Sequence, residues 1–145
     1  MAIKKLSISV MAILVMMLLQ VALVSAGGPI RSFIRSREAM AAPDLLESPN
    51  RLKAFVLAKN GEGSVTDEWG KLLWSTKKSG PSDKYALVLS DKGVVRIFKP
   101  DGEVLSQWGG GKGRRQGIYT LSMNDNGSLT ISDPHGKTVW SSKKK

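Results

Sequence analysis

YALVLSDKGVVRIFKPDGEVLS, residues 85–106, decides the fold. Leu87 and Leu89 alternate with polar or smaller neighbours, Asp91-Lys92-Gly93 interrupts, and Val95 and Ile97 resume the alternation. A period of two is the signature of a strand with one buried face. Glycine and asparagine tolerate the positive φ that a tight hairpin turn demands. Pro100-Asp101-Gly102 then reads as a second turn, so the stretch is a run of short antiparallel strands.

Two further copies flank it, AFVLAKNGEGSVTDEWGKLLWS from Ala54 and YTLSMNDNGSLTISDPHGKTVWSS from Tyr119. Their first glycines, Gly61, Gly93 and Gly127, lie 32 and 34 residues apart, and a second glycine follows nine positions later in each, at Gly70, Gly102 and Gly136. Self-similarity at a fixed spacing marks a repeat architecture, here of blocks at about 54–82, 84–116 and 117–145. The alternation predicts Phe55, Leu57, Val65, Leu87, Leu89, Val95, Ile97, Leu121, Met123, Leu129 and Ile131 as the inward face. Trp74 and Trp140 fall four residues after their second glycines; the middle block has Ser106 there and its tryptophan two residues later, at Trp108. One short sheet cannot bury its apolar face alone, so a ring recurring once per block predicts a shared central core.

Outward from the repeats, Lys4 and Lys5 precede an apolar run from Leu6 to Val24, and Val24-Ser25-Ala26 supplies the small residues of a cleavage site. Residues 1–26 are thus expected to be a secretory signal peptide rather than a retained anchor, and the protein to be extracellular, in the apoplast or cell wall if the source is a plant. Losing the two lysines lowers the formal charge from +10 to +8. Residues 27–43, with Arg31, Arg35 and Arg37, read as a disordered basic arm or pro-piece, and 44–145 as one domain.

The chain has no cysteine and a single histidine, His135, so disulfides are excluded and neither metal nor cofactor is expected. His135 lies in a turn beside Asp133, no G-x-S-x-G elbow is present, and GGGKGRRQG, residues 109–117, lacks the Lys-Ser/Thr ending of a phosphate loop; no catalytic residue is assigned and no enzyme expected. Aromatics do not interleave with the basic residues, and nucleic acid is not an expected partner.

The repeated L-x-L-x-x-x-G-x-(apolar)-x-(apolar) pattern with its closing Leu-Leu-Trp-Ser or Val-Trp-Ser-Ser resembles the bulb-type, mannose-binding monocot lectins over Asp44 to Lys145. The resemblance implies an all-β fold, a type II β-prism of three four-stranded antiparallel sheets with pseudo-threefold symmetry, in which Asp44 to Glu47 is the opening strand. It also implies binding of glycans or glycoproteins, in defence or extracellular recognition. Members of the family exchange a C-terminal strand between protomers; with five residues after Trp140 exchange is not expected here, and a homodimer stays open.

The family's sugar site is Gln-x-Asp-x-Asn-x-Val-x-Tyr around the hairpin glycine. In the first block those places hold Ala58, Asn60, Glu62, Ser64 and Thr66, and in the second Ser90, Lys92, Val94, Arg96 and Phe98, so both are vestigial. The third holds Asn124, Asn126, Ser128, Thr130 and Ser132, a degenerate set that keeps amides and hydroxyls able to pair with a sugar. Asn126-Gly127-Ser128 is also an N-glycosylation sequon, and a glycan there would sit on that site. Lys112, Arg114, Arg115, Lys143, Lys144 and Lys145 form a basic set suited to an anionic polysaccharide or a microbial membrane. This set supports the alternative function, a basic antimicrobial or inhibitory protein with vestigial sugar sites.

Overall fold

The computed structural model describes residues 30–143; the expected signal peptide and the last two lysines lie outside the described residues. Three strands come first, β1 (Phe33–Arg35), β2 (Ala39–Ala41) and β3 (Asp44–Glu47). The first block gives β4 (Ala54–Leu57), β5 (Gly63–Thr66) and β6 (Leu72–Ser75). The second gives β7 (Ala86–Leu89), β8 (Val94–Phe98) and β9 (Val104–Gly109), and the third β10 (Thr120–Met123), β11 (Leu129–Ser132) and β12 (Thr138–Ser141).

They assemble as three four-stranded antiparallel sheets, ordered β3-β4-β5-β6, β2-β7-β8-β9 and β1-β10-β11-β12. A register shift recurs at equivalent places, between Val65 and Thr66, Ile97 and Phe98, and Ile131 and Ser132. All six hairpin glycines have positive φ, from 78° to 92°. Every residue assigned to the inward face is buried.

The segment before Asp44 departs from its expected disorder. Each block makes only three strands and leaves the free edge of its first strand open, and an open edge is a row of unsatisfied backbone groups. The chain from β1 to β3 closes these edges in reverse order, third sheet, second sheet, first sheet. Ile34 and Met40, the middle residues of β1 and β2, are fully buried between exposed neighbours. The domain therefore includes the described part of the predicted arm. At the corner between β1 and β2, the buried Ser36 donates its Oγ hydrogen to Ser90 O at 2.9 Å and accepts from Tyr119 N at 2.8 Å, joining the second and third blocks.

Around the pseudo-threefold axis Trp74, Trp108 and Trp140 meet one another, with ring centroids 5.2, 5.5 and 6.1 Å apart. Trp74 lies opposite Val65 and Trp140 opposite Ile131, whereas Trp108 lies opposite Val95 and Ser106 takes the tryptophan's place opposite Ile97. A displacement of two residues keeps Trp108 on the inward face, because side chains alternate with period two. Its cost is polar: Ser106 Oγ and Trp108 Nε1 are both buried without a hydrogen-bond partner.

The blocks are sealed at their turns. A Cβ on Gly93 would stand 2.8 Å from the ring of Tyr119, the residue that opens the next block, and one on Gly61 2.7 Å from that of Tyr85. In the first block Lys53 holds the tyrosine's position; its aliphatic stem approaches Gly127, and its ammonium pairs with Glu68 at 3.0 Å, closing the ring of blocks.

Candidate functional site

The β10–β11 hairpin carries the third set of predicted residues. Alternation turns Leu129 and Ile131 inward and Thr130 and Ser132 outward along β11. Gly127, at φ 88°, lets the chain reverse, and Gly127 N donates to Asn124 O at 3.0 Å. Asn124 Nδ2 donates to Ser128 O and to Thr130 Oγ1, both at 2.9 Å. Asn126 Oδ1 accepts from Ser128 N at 2.9 Å and from Ser128 Oγ at 2.6 Å. Four of the five residues are thus knitted into one network, while Ser132 stands farther along β11, opposite Thr120 and two places from Thr130.

This network decides what a ligand can use. Ser128 is buried and its hydroxyl is spent on Asn126, so its role is to brace the turn. Asn124 Oδ1, the Asn126 amide hydrogens and the Thr130 hydroxyl hydrogen are left as the polar groups of the turn. Asn126 is exposed at the tip, with the Lys143 ammonium against its carbonyl oxygen. Sequence reasoning missed the hydroxyls beside them: Ser122 and Ser141 flank Thr130 in register, and Thr120 and Thr138 flank Ser132. The same alternation that put Thr130 outward would have found them.

The other two hairpins differ in kind. Around the second, Ser90 Oγ accepts from Lys92 N and Val94 N at 3.2 and 3.1 Å, and Arg96 Nε donates to Gln107 Oε1 at 3.2 Å. Val94 and Phe98 share the outward face with Arg96, making it largely apolar. Around the first, Asn60 Oδ1 accepts from Glu62 N at 3.1 Å, Glu62 Oε2 accepts from Ser75 Oγ at 2.6 Å, and Ser64 lies opposite Ser75. Thr66 is buried, and Ala58 offers only its backbone, accepting from Gly61 N at 2.9 Å.

The described members of the basic set have different surroundings. Lys112 and Arg115 are exposed on the connector between β9 and β10, but Arg114 Nε and Nη2 donate to Gly110 O and Val139 O at 3.2 and 3.3 Å, clamping that connector to β12. Lys143 belongs to the third hairpin, and Lys144 and Lys145 lie outside the described residues. Asp133 Oδ1 accepts from His135 N and Lys137 N, both at 2.9 Å. These backbone donors, Lys137's foremost, hold its carboxyl below the usual carboxylate value. Among the described residues no three His, Asp or Glu side chains converge as metal ligands.

No family model and no curated protein matches the sequence. Solved structures do match. A monomeric monocot mannose-binding lectin from Gastrodia elata superposes with a TM-score of 0.67 at 15% identity, over 79% of this chain and 98% of that one. A mannose-specific lectin from Dutch crocus, Crocus vernus, gives 0.65 at 19%, over 79% and 97%. The mannose-specific agglutinin of snowdrop, Galanthus nivalis, complexed with methyl-α-D-mannoside, gives 0.60 at 17%, over 69% and 87%. The three sheets are therefore a β-prism of the kind these lectins have.

Proposed function

We propose that this chain is a carbohydrate-binding, lectin-like protein, exported and acting in defence or extracellular recognition, with its sugar chemistry reduced to the third hairpin. The observation that carries this reading is the outward face of β10 and β11, where Asn124, Asn126 and Thr130 sit among a field of hydroxyls on a fold otherwise found in mannose-binding lectins. A pyranose hydroxyl pair needs an acceptor and donors held in place. Asn124 Oδ1 is the acceptor, and the Asn126 amide and Thr130 hydroxyl are the donors. Part of the hydrogen-bonding capacity is already spent inside the turn, so affinity is weak.

Retention on mannose-agarose and binding across a glycan array test this. Asn124→Ala should abolish retention while the fold persists; a wild-type protein that binds no neutral glycan would end the reading. Endoglycosidase treatment belongs beside it, because a mass shift would place a glycan on Asn126 at the same tip. The second reading, a basic protein acting on anionic microbial surfaces, is favoured by Lys92 and Arg96 standing where the second hairpin would otherwise hold a sugar. It requires retention on anionic vesicles that falls steeply with salt.

A further inference from the structure

We propose that the seam between the second and third blocks holds a separate site for a sugar bearing a carboxylate. A cavity of about 330 Å³ lies there, lined by Arg115, Gln116, Tyr119, Asp133, Pro134 and His135 among others. That volume stands at the small end of ligand cavities and suits one pyranose unit. Its walls are fixed. Tyr119 packs its ring over Gly93 and donates its hydroxyl hydrogen to Arg115 O at 2.7 Å, which holds the connector by its backbone and leaves the Arg115 side chain free for a ligand. Pro134 lies so close to Gly117 that a Cβ there would stand 2.6 Å from it.

The polar groups sort by what is already spent. Asp133 uses Oδ1 to hold the turn that carries His135 and keeps its negative charge in the lining, so the ligand's carboxylate is directed away from it, to Arg115. Gln116 Nε2 donates to Asp91 Oδ2 at 2.8 Å, which leaves its carbonyl oxygen to accept from a sugar hydroxyl. Arg115 has no carboxylate partner among the described residues. A planar guanidinium matches a carboxylate with two parallel hydrogen bonds, and His135, in the same lining, adds a ring N–H donor. Pro134 supplies the apolar contact for a ring face.

The preceding seam is an internal comparison. A cavity of about 400 Å³ is lined there by Tyr85, Pro81, Pro100 and Leu105 together with Lys99 and Asp101. Its one cation, Lys99, stands 3.8 Å from Glu103. In the first block Lys53 and Glu68 occupy the tyrosine and proline places and pair with each other. The frame belongs to the architecture, then, and a lining that holds both an arginine and a histidine to the seam before the third block.

The choice of a sugar as ligand rests on the carbohydrate-binding reading; the location does not. Amide-resolved NMR titration with trigalacturonate should shift residues 113–119 and 133–136, and the methyl-esterified trisaccharide should bind at least about tenfold more weakly, having lost the charge-assisted pair. Arg115→Ala should cost about tenfold and His135→Gln a smaller factor, whereas Lys112→Ala, on the same connector but outside the cavity, should stay within about twofold. Equal losses in Arg115→Ala and Lys112→Ala, shifts confined to Asn124–Thr130, or no binding would each overturn the site. Trigalacturonate at the seam without neutral-glycan binding at the hairpin would sink the hairpin reading and leave this one; mannose at the hairpin without seam shifts would do the reverse.

Discussion

Removing residues 27–43, the piece whose sequence suggests an arm, should unfold this protein. The cut takes away β1 and β2, and with them Ile34 and Met40, which are fully buried in the central cluster. Truncating a buried Ile or Met to alanine costs about 2–5 kcal/mol, so losing both side chains removes roughly 4–10 kcal/mol. A domain of this size has only about 5–15 kcal/mol to lose. The cut also opens the edges of β7 and β10, each paired over three residues with the deleted strands, which adds an aggregation hazard. The assay is urea denaturation followed by tryptophan fluorescence, since Trp74, Trp108 and Trp140 contact one another and report the core. The chain from residue 27 should melt cooperatively and the chain from residue 44 should show no cooperative transition. Within the intact domain, Ile34→Ala should cost about 2–5 kcal/mol and Phe33→Ala, on the solvent side of the same strand, under about 0.5 kcal/mol. A truncated chain with a midpoint within about 0.5 M urea of the longer one would refute the reasoning and restore the pro-piece.

Two further perturbations probe the seams. Gly102→Ala has φ 92° and nothing within 4 Å of the new Cβ, so it should cost only the backbone strain of about 1–2 kcal/mol; Gly93→Ala, at φ 78° and 2.8 Å from the Tyr119 ring, adds an overlap worth about 1–3 kcal/mol, and equal chemical-denaturation losses would disprove the packing of one block's turn on the next block's tyrosine. The Lys53 ammonium beside Glu68 holds its carboxyl below the ordinary 4.5. A depressed folded-state pKa stabilises above the unfolded value and that stabilisation is lost as pH falls through the folded one, so Lys53→Met should flatten the acid-side decline of stability below about pH 4.5; an unchanged slope in urea midpoints at pH 6, 4 and 3 would contradict the pairing.

The hairpins were legible from sequence because their determinants are local. Positive φ at Gly61, Gly93 and Gly127 and alternation over four residues on either side fix a turn and an inward face without reference to the remainder of the chain. The three blocks and the meeting of their tryptophans followed from the repeat spacing. Alternation also placed Thr130 and Ser132 outward, but no sequence rule says that Asn124 and Asn126 spend their polar atoms on Ser128 and Thr130; that depends on how tightly the turn closes.

What tertiary structure alone decided lies farther apart along the chain. β1 and β2 carry one inward residue each, too little periodicity to announce a strand, and their reason to be extended is the open edge of a partner encountered only after the blocks have formed. Arg114 reads as a member of a basic run until Gly110 O and Val139 O are seen to claim it. The seam cavity likewise needs a connector, the start of one strand and the turn after another to converge. Sequence determined the repeated unit, because a hairpin is a contract between neighbours; the closure of the prism and the gathering of Arg115 and His135 into the lining of one cavity required the distant parts of the chain to meet.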